Sequence, residues 1–266
     1  MIRLFRNIRK TMLNQGKTSK YLKYAFGEIV LVVIGILIAL QINNWHANRT
    51  KSQQEAVYLK NLKRDLYQQL KTIEAQINFE NSINKIATPI LENYKTHQSF
   101  NVDSTFTSHI GLLTGRVTFV KNAPTYTELI SSGNLDIISN DELKDEIIRY
   151  YEEIERTELI INKNNNLYTD AVLIPQVMAL SEMQMIGDLG LEILKDFDKD
   201  QSTTFIDLNE PRLKEITKAQ LAIPGNELKL INSINFKNFL AIVHRHILEK
   251  HKEQTEILLQ HLEAIP

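Results

Sequence analysis

The sequence predicts an all-α fold, in which a single N-terminal transmembrane helix continues into an elongated antiparallel bundle of three long helices with short helical insertions. Three observations predict it. Residues 25–42 contain only Glu28 and Gln41 as polar side chains. Three later stretches place apolar residues three and four apart, the repeat of one helix face. And 266 residues hold only nine Gly and six Pro, too few for an all-β fold rich in turns.

The membrane segment comes first along the chain. Ile29–Leu40 is an unbroken apolar run, and with its flanks Ala25–Ile42 gives eighteen residues. At about 1.5 Å per residue these cover roughly 27 Å, close to a hydrocarbon core. Tyr21 and Tyr24 stand before the run and Trp45 after it, the positions of an interfacial aromatic belt. Seven Lys/Arg and no acid occupy residues 1–27, while residues 42–62 hold only Arg49, Lys51 and Lys60 with Glu55. The basic side stays in the cytoplasm, so the body is expected outside. Gln41–Trp45 offers no small-x-small site for signal cleavage, which favours an uncleaved anchor. The expected layout is a basic cytoplasmic tail over 1–20, a span over 21–45 and an extracytoplasmic bundle over 46–266. Residues 2–13 read either as a basic amphipathic helix on anionic lipid or as a plain positive tail.

Within the span, Glu28, Val32, Gly35 and Ala39 advance by four, three and four and so share one stripe with Ile42. Gly35 and Ala39 form a small-xxx-small pair that admits a second helix closely. This stripe is the candidate helix–helix interface. The alternative is that Glu28 lies near enough to the boundary to reach water.

Gly27–Trp45 (GEIVLVVIGILIALQINNW) resembles a family of single-pass proteins of Gram-negative bacteria known as domain of unknown function six-zero-nine-zero. Thr125–Leu135 (TYTELISSGNL) with Leu143–Tyr151 carries a second resemblance, in the same order. The family usually has an acidic residue after the Trp, where this chain has His46. The resemblance implies a helical, non-cytoplasmic domain and no activity.

In the body, Leu59, Leu62, Leu66, Leu70, Ile73 and Ile77 define one face of a helix running to about residue 97. Residues 99–122 are mixed, with Val117–Val120 as a short extended piece. Pro124 starts a short helix that Gly133 ends, and Ser139–Glu142 fits a capping box for the next one. There Ile147, Ile154, Ile161 and Tyr168 stand seven apart, and Pro175 should kink or end the helix. A short helix from Asn209 precedes a third long one over Asn226–Ala264, which carries Leu240, Val243, Ile247, Leu258 and Leu262. If the three long helices run out, back and out, residues 186–225 lie near the membrane and 99–138 far from it.

With no Cys there is no disulfide framework or thiolate nucleophile. Residues 28–266 hold 24 basic against 32 acidic side chains, which argues against nucleic-acid binding. No GxSxG, P-loop, HExxH or GxGxxG pattern occurs, so the chain is expected not to be an enzyme and to need no cofactor. His244, His246 and His251 are the one histidine cluster; i, i+2 spacing splits the first two across a helix, so packed or solvated histidines are expected over a metal site. Asp196, Asp198, Asp200 and Asp207 have the spacing of a calcium loop, but Gln201 replaces the turn glycine and Asp207 the usual Glu. An acidic surface loop is the plainer reading.

The expected partners are the lipid bilayer and a second copy or another envelope protein. The leading functional expectation is a membrane-anchored interaction or scaffold protein. Next comes a ligand-sensing bundle that signals through a membrane partner, which predicts a pocket between long helices lined by a few inward polar residues. An envelope hydrolase comes third. A dry core without a pocket would favour the first.

Overall fold

The protein is described from a computed structural model over residues 18–183 and 210–265. Among these residues it is helical, with no strand. The chain divides into two compact units, Met1–Tyr58 and Leu59–Pro266. The helix α1 spans Thr18–His97 and contributes to both. In the first unit, the side chains from Phe26 to Trp45 are mostly exposed, Leu31 and Phe26 at 67% and 69%, in keeping with the apolar composition all round. Among the described residues this is the one helix long and apolar enough to cross a membrane. Residues 2–13 lie outside the described residues.

The second unit begins where α1 changes character. From Leu59 its buried positions advance by three and four: Leu59, Leu62, Leu66, Gln69, Ile73, Gln76, Glu80, Ile83, Ala87 and Ile90. Leu70 and Ile77, expected on this face, are only half-buried. The seam runs through their neighbours Gln69 and Gln76, which hydropathy does not mark as core. Gln98 ends the helix at φ +54, its N–H bonded to the Tyr94 carbonyl at 2.7 Å. This is the left-handed terminus that usually falls to Gly.

The chain then turns back along α1. Helix α2 (Ser104–Leu113), capped by Asp103, packs Phe106, Ile110 and Leu113 against Ile83, Ile86 and Ile90. Residues 116–123 continue as an extended strap. It passes from beside Phe79 at Gly115 to Asp65 and Gln69 at Asn122. Extended chain covers about 3.3 Å per residue against 1.5 Å in a helix, so a few residues retrace several helical turns. Helix α3 (Pro124–Ser131) has Pro at its first turn and ends at Gly133, φ +68. There Asn134 N–H meets the Leu129 carbonyl and Gly133 N–H the Ile130 carbonyl, as the sequence anticipates.

Helix α4 (Asp141–Asn164) starts one residue later than the Ser139–Glu142 pattern suggests. Its cap is Asn140, whose side chain accepts from Leu143 N–H at 3.0 Å. Ile147, Ile154 and Ile161 are fully buried, but Tyr168 is 41% exposed. Residues Asn165–Leu173 form a π-helix, and α5 (Ile174–Leu180) follows without a break. The wider turn moves the inward positions to every fourth residue: Ile161, Asn165, Thr169, Leu173 and Val177. Pro175 lies in the first turn of α5, so the helix neither ends nor starts anew at the proline. Helix α6 (Pro211–Leu221) and helix α7 (Pro224–Glu263) are the remaining helices among the described residues.

Contacts fix the direction of each helix. Along α1 and α7 the pairs are Tyr67–Glu263, Glu74–Lys252, Glu80–His244 and Asn84–Asn238, so these two are antiparallel. Along α4 and α7 they are Glu146–His261, Tyr150–Thr255, Thr157–His251 and Asn164–His244, again antiparallel. The first two long helices therefore run parallel, each opposed to α7. The out-back-out path expected from sequence is replaced because residues 98–140 make the return journey themselves. Residues 99–113 and the described part of 186–225 pack at the same end of this unit. Lys214 bonds Ser104, and Leu221 joins Ile90 and Val102 in one core.

Candidate functional site

The inner face of α7 repeats as Leu230, Ile234, Lys237, Ala241, His244, Leu248, His251, Thr255, Leu258 and Leu262, all buried. Every third or fourth residue is inward, but four of the ten are polar. Burying a polar group costs free energy unless it finds a partner, so each of these should be met by a group from a neighbouring helix. Each is. Tyr150 Oη and Thr255 Oγ1 lie 2.9 Å apart. His251 Nε2 lies 2.6 Å from Thr157 Oγ1. Burial holds the His251 imidazole below its usual pKa by disfavouring the charged ring.

The central layer joins three elements. Glu80 on α1 accepts from Gln76 Nε2 at 2.9 Å and meets His244 Nδ1 at 3.2 Å. A carboxylate only accepts, so Nδ1 carries the proton, while His244 Nε2 lies 3.0 Å from the Asn164 amide nitrogen. In the last layer Lys237 Nζ donates to the Gly115 carbonyl at 3.1 Å and to Thr169 Oγ1 at 3.0 Å. Burial pushes the Lys237 ammonium down to about 8, opposed by the charge of Glu80.

The strap is held by the same means. Extended backbone without a neighbouring strand must satisfy its N–H and C=O groups elsewhere. Asn162 bonds both the N–H and the carbonyl of Phe119, at 3.1 and 2.8 Å. Asn165 donates to the Val117 carbonyl, Gln69 accepts from Asn122 N–H, and the buried Asp65 accepts from Thr125 N–H at 3.0 Å. Tyr126 stacks on Tyr151 with centroids 4.3 Å apart, and burial raises the Tyr151 hydroxyl far above its ordinary pKa. The two sequence blocks around Thr125 and Tyr151 are thus in direct contact.

Where α4 gives way to the π-helix, a groove of about 750 Å³ opens between that segment and α7. One wall carries Tyr168, Thr169, Val172 and Gln176; the other carries Lys229, Asn232, Ser233, Phe236, Lys237 and Phe239. Tyr168 and Phe236 meet edge to face with centroids 4.6 Å apart, and Ser233 donates to Gln176 Oε1 across the groove. The outward turn of Tyr168 makes this wall. A regular α-helix would have carried the Ile161 stripe on through Tyr168 and buried it.

The sites expected from sequence fall as follows. His244 and His251 do share a face, inside the core, while His246 is exposed. Among the described residues no three His, Asp or Glu side chains come together as a metal site. Asp196, Asp198, Asp200 and Asp207 lie outside the described residues. Val32, Gly35 and Ala39 are exposed on α1, and Glu28 is half-exposed. Neither the groove nor its lysine was marked in the sequence. Lys237 stands seven residues before His244 and fourteen before His251, and that spacing is the one signal available.

Residues 28–173 match the family of unknown function DUF6090. The chain belongs to this family. The match covers α1 from the apolar run onward, the strap, α4 and the π-helix, but not α7. No curated protein and no solved structure is similar enough to match.

Proposed function

We propose that this family member is a membrane-anchored, extracytoplasmic binding protein whose bundle takes a small ligand between its long helices. The observation that supports it most is the groove beside the π-helix. It has the size range of small-molecule sites, aromatic side chains on both walls and a few inward polar groups. π-Helical turns often mark functional sites in helical proteins. A scaffold with a closed core, the first expectation from sequence, accounts less well for such an opening. No reaction is assigned to the groove. The anchor reading rests on the apolar run of α1 and on the seven basic residues before it.

The ligand reading is tested on chain purified from its native membranes, by mass spectrometry of the small molecules it releases. A compound carried by the wild type and lost from Phe236→Ala is the expected result; identical profiles would overturn the reading. The absence of Cys makes orientation easy to test. A membrane-impermeant maleimide on intact spheroplasts should label Leu228→Cys and spare Thr11→Cys.

A second reading concerns the span. Gly35 and Ala39 are small residues one turn apart, so the Glu28, Val32, Gly35 and Ala39 stripe can receive another helix closely, from a second copy or an envelope partner. Photo-crosslinking from Ala39, with Leu37 as the off-stripe control, tests it by product mass. No product from Ala39 would leave the span as a plain anchor.

A further inference from the structure

The charge of the groove is unlike that of the rest of the chain. Residues 28–266 carry more acid than base. Yet among the described residues the groove is lined by two lysines, Lys229 and Lys237, and by no Asp or Glu. Two carboxylates act on Lys237 through space but bond other groups: Asp170 pairs with Arg116, and Glu80 with Gln76 and His244. Lys237 meets only a carbonyl and a hydroxyl through hydrogen bonds, and an ammonium has three N–H groups. Lys229 is exposed at the rim. The same groove is lined by Tyr168, Phe236 and Phe239, which are 41%, 37% and 55% exposed. Such rings offer flat apolar contact area.

We propose that the groove binds a small organic anion with a flat apolar body, its ring against Tyr168, Phe236 and Phe239 and its charge toward Lys229. This deepens the ligand-binding reading above and rests on it. A carboxylate at the rim meets Lys229 and no carboxylate on the described walls, whereas an amine of the same shape meets a cation there. A neutral analogue keeps the aromatic contacts and forfeits the electrostatic ones.

The test uses three probes of one shape and different charge: 4-fluorobenzoate, 4-fluorobenzyl alcohol and 4-fluorobenzylamine. Fluorine NMR relaxation reads their binding to the full chain in nanodiscs, with empty nanodiscs subtracted. The benzoate is expected to bind at least fivefold more tightly than the alcohol, and the amine not at all. Lys229→Met, a change at an exposed position, should bring the benzoate down to the alcohol's affinity and leave the alcohol unchanged, with helicity by circular dichroism as for wild type. Phe236→Ala should weaken benzoate and alcohol alike. Equal binding of all three probes, still sensitive to Phe236→Ala, would overturn the anion assignment and leave the groove as a ligand site. No binding beyond empty nanodiscs would overturn the anion assignment and count against the ligand-binding reading as well. Benzoate binding indifferent to Lys229→Met would overturn the placement of the charge.

Discussion

Two stretches of the same helix pair behave oppositely. Along α4, from Leu143 to Ile161, the contact with α7 is tighter: Ile147, Ile154 and Ile161 are fully buried, Tyr150–Thr255 and Thr157–His251 pair across the seam, and the opening beside Tyr150 and Leu258 measures only about 260 Å³. Along the π-helix, from Asn165 to Leu173, the same two partners part around a groove. The surface composition changes, from a charge-rich stretch to one in which Asp170 is the single charged residue. The number of residues per turn changes too, and this carries Tyr168 out of the seam and puts Thr169 in its place. A slip of one residue in one helix is enough to turn packed core into a lined opening.

The largest difference expected between the two stretches is in sensitivity to truncation. Ile154→Ala should cost about 2–5 kcal/mol, because its cavity has no room to collapse. Phe236→Ala in the open stretch should cost roughly 1 kcal/mol, the worth of its contact with Tyr168. Urea unfolding of the full chain in micelles measures both, and equal costs would erase the comparison.

The next effect depends on pH. Between pH 8 and 10.5 the folded chain has released the Lys237 proton while the unfolded chain keeps it, so stability rises with pH there. The gain is on the order of 3 kcal/mol for a shift from the ordinary lysine value of 10.5 to about 8. Near pH 10 it meets an opposing trend. Tyr150, pushed up to about 12 by burial, and Tyr151, raised further, keep protons that the unfolded chain loses. Lys237→Met should therefore flatten the rise from pH 8 to 10 and leave the fall above it. A rise that survives this substitution would mean that Lys237 does not carry it.

A smaller effect sharpens the role of the strap. Asn162→Ala removes both partners of the Phe119 peptide, one N–H and one C=O. The expected loss is about 1–3 kcal/mol, the cost of buried backbone groups left unpaired. Hydrogen exchange should show the amide of Phe119 exposed before those of α4. The smallest effect lies where the chain turns back. Gln98→Gly relieves a left-handed conformation at a residue with a Cβ, and should raise stability by about 0.5–1 kcal/mol, read as a small rise in melting temperature.

Much of this architecture is legible in the sequence. The apolar run, the ends of α1 and α7 near His97 and Ala264, the Pro124 start and the Gly133 stop all follow from local rules, because helix ends and turns are decided by a few neighbouring residues. The inward faces are less legible. The apolar pattern points to Leu70, Ile77, Val243 and Ile247, all only half-buried, where the seams run through Gln69, Gln76, His244 and Leu248. In most of these pairs a polar residue takes the inward place beside an apolar one.

The sequence by itself determined that this chain is helical, where its apolar segment lies and which family it joins. Tertiary structure alone decided that α1 and α4 run parallel, that residues 98–140 make the return with a strap over 116–123, and that Lys237, His244 and His251 are core. The physical reason is the same for all three. A polar side chain or a bare strand of backbone can be buried only where a distant segment supplies its hydrogen bonds, and those partners are named by the fold and not by their place along the chain.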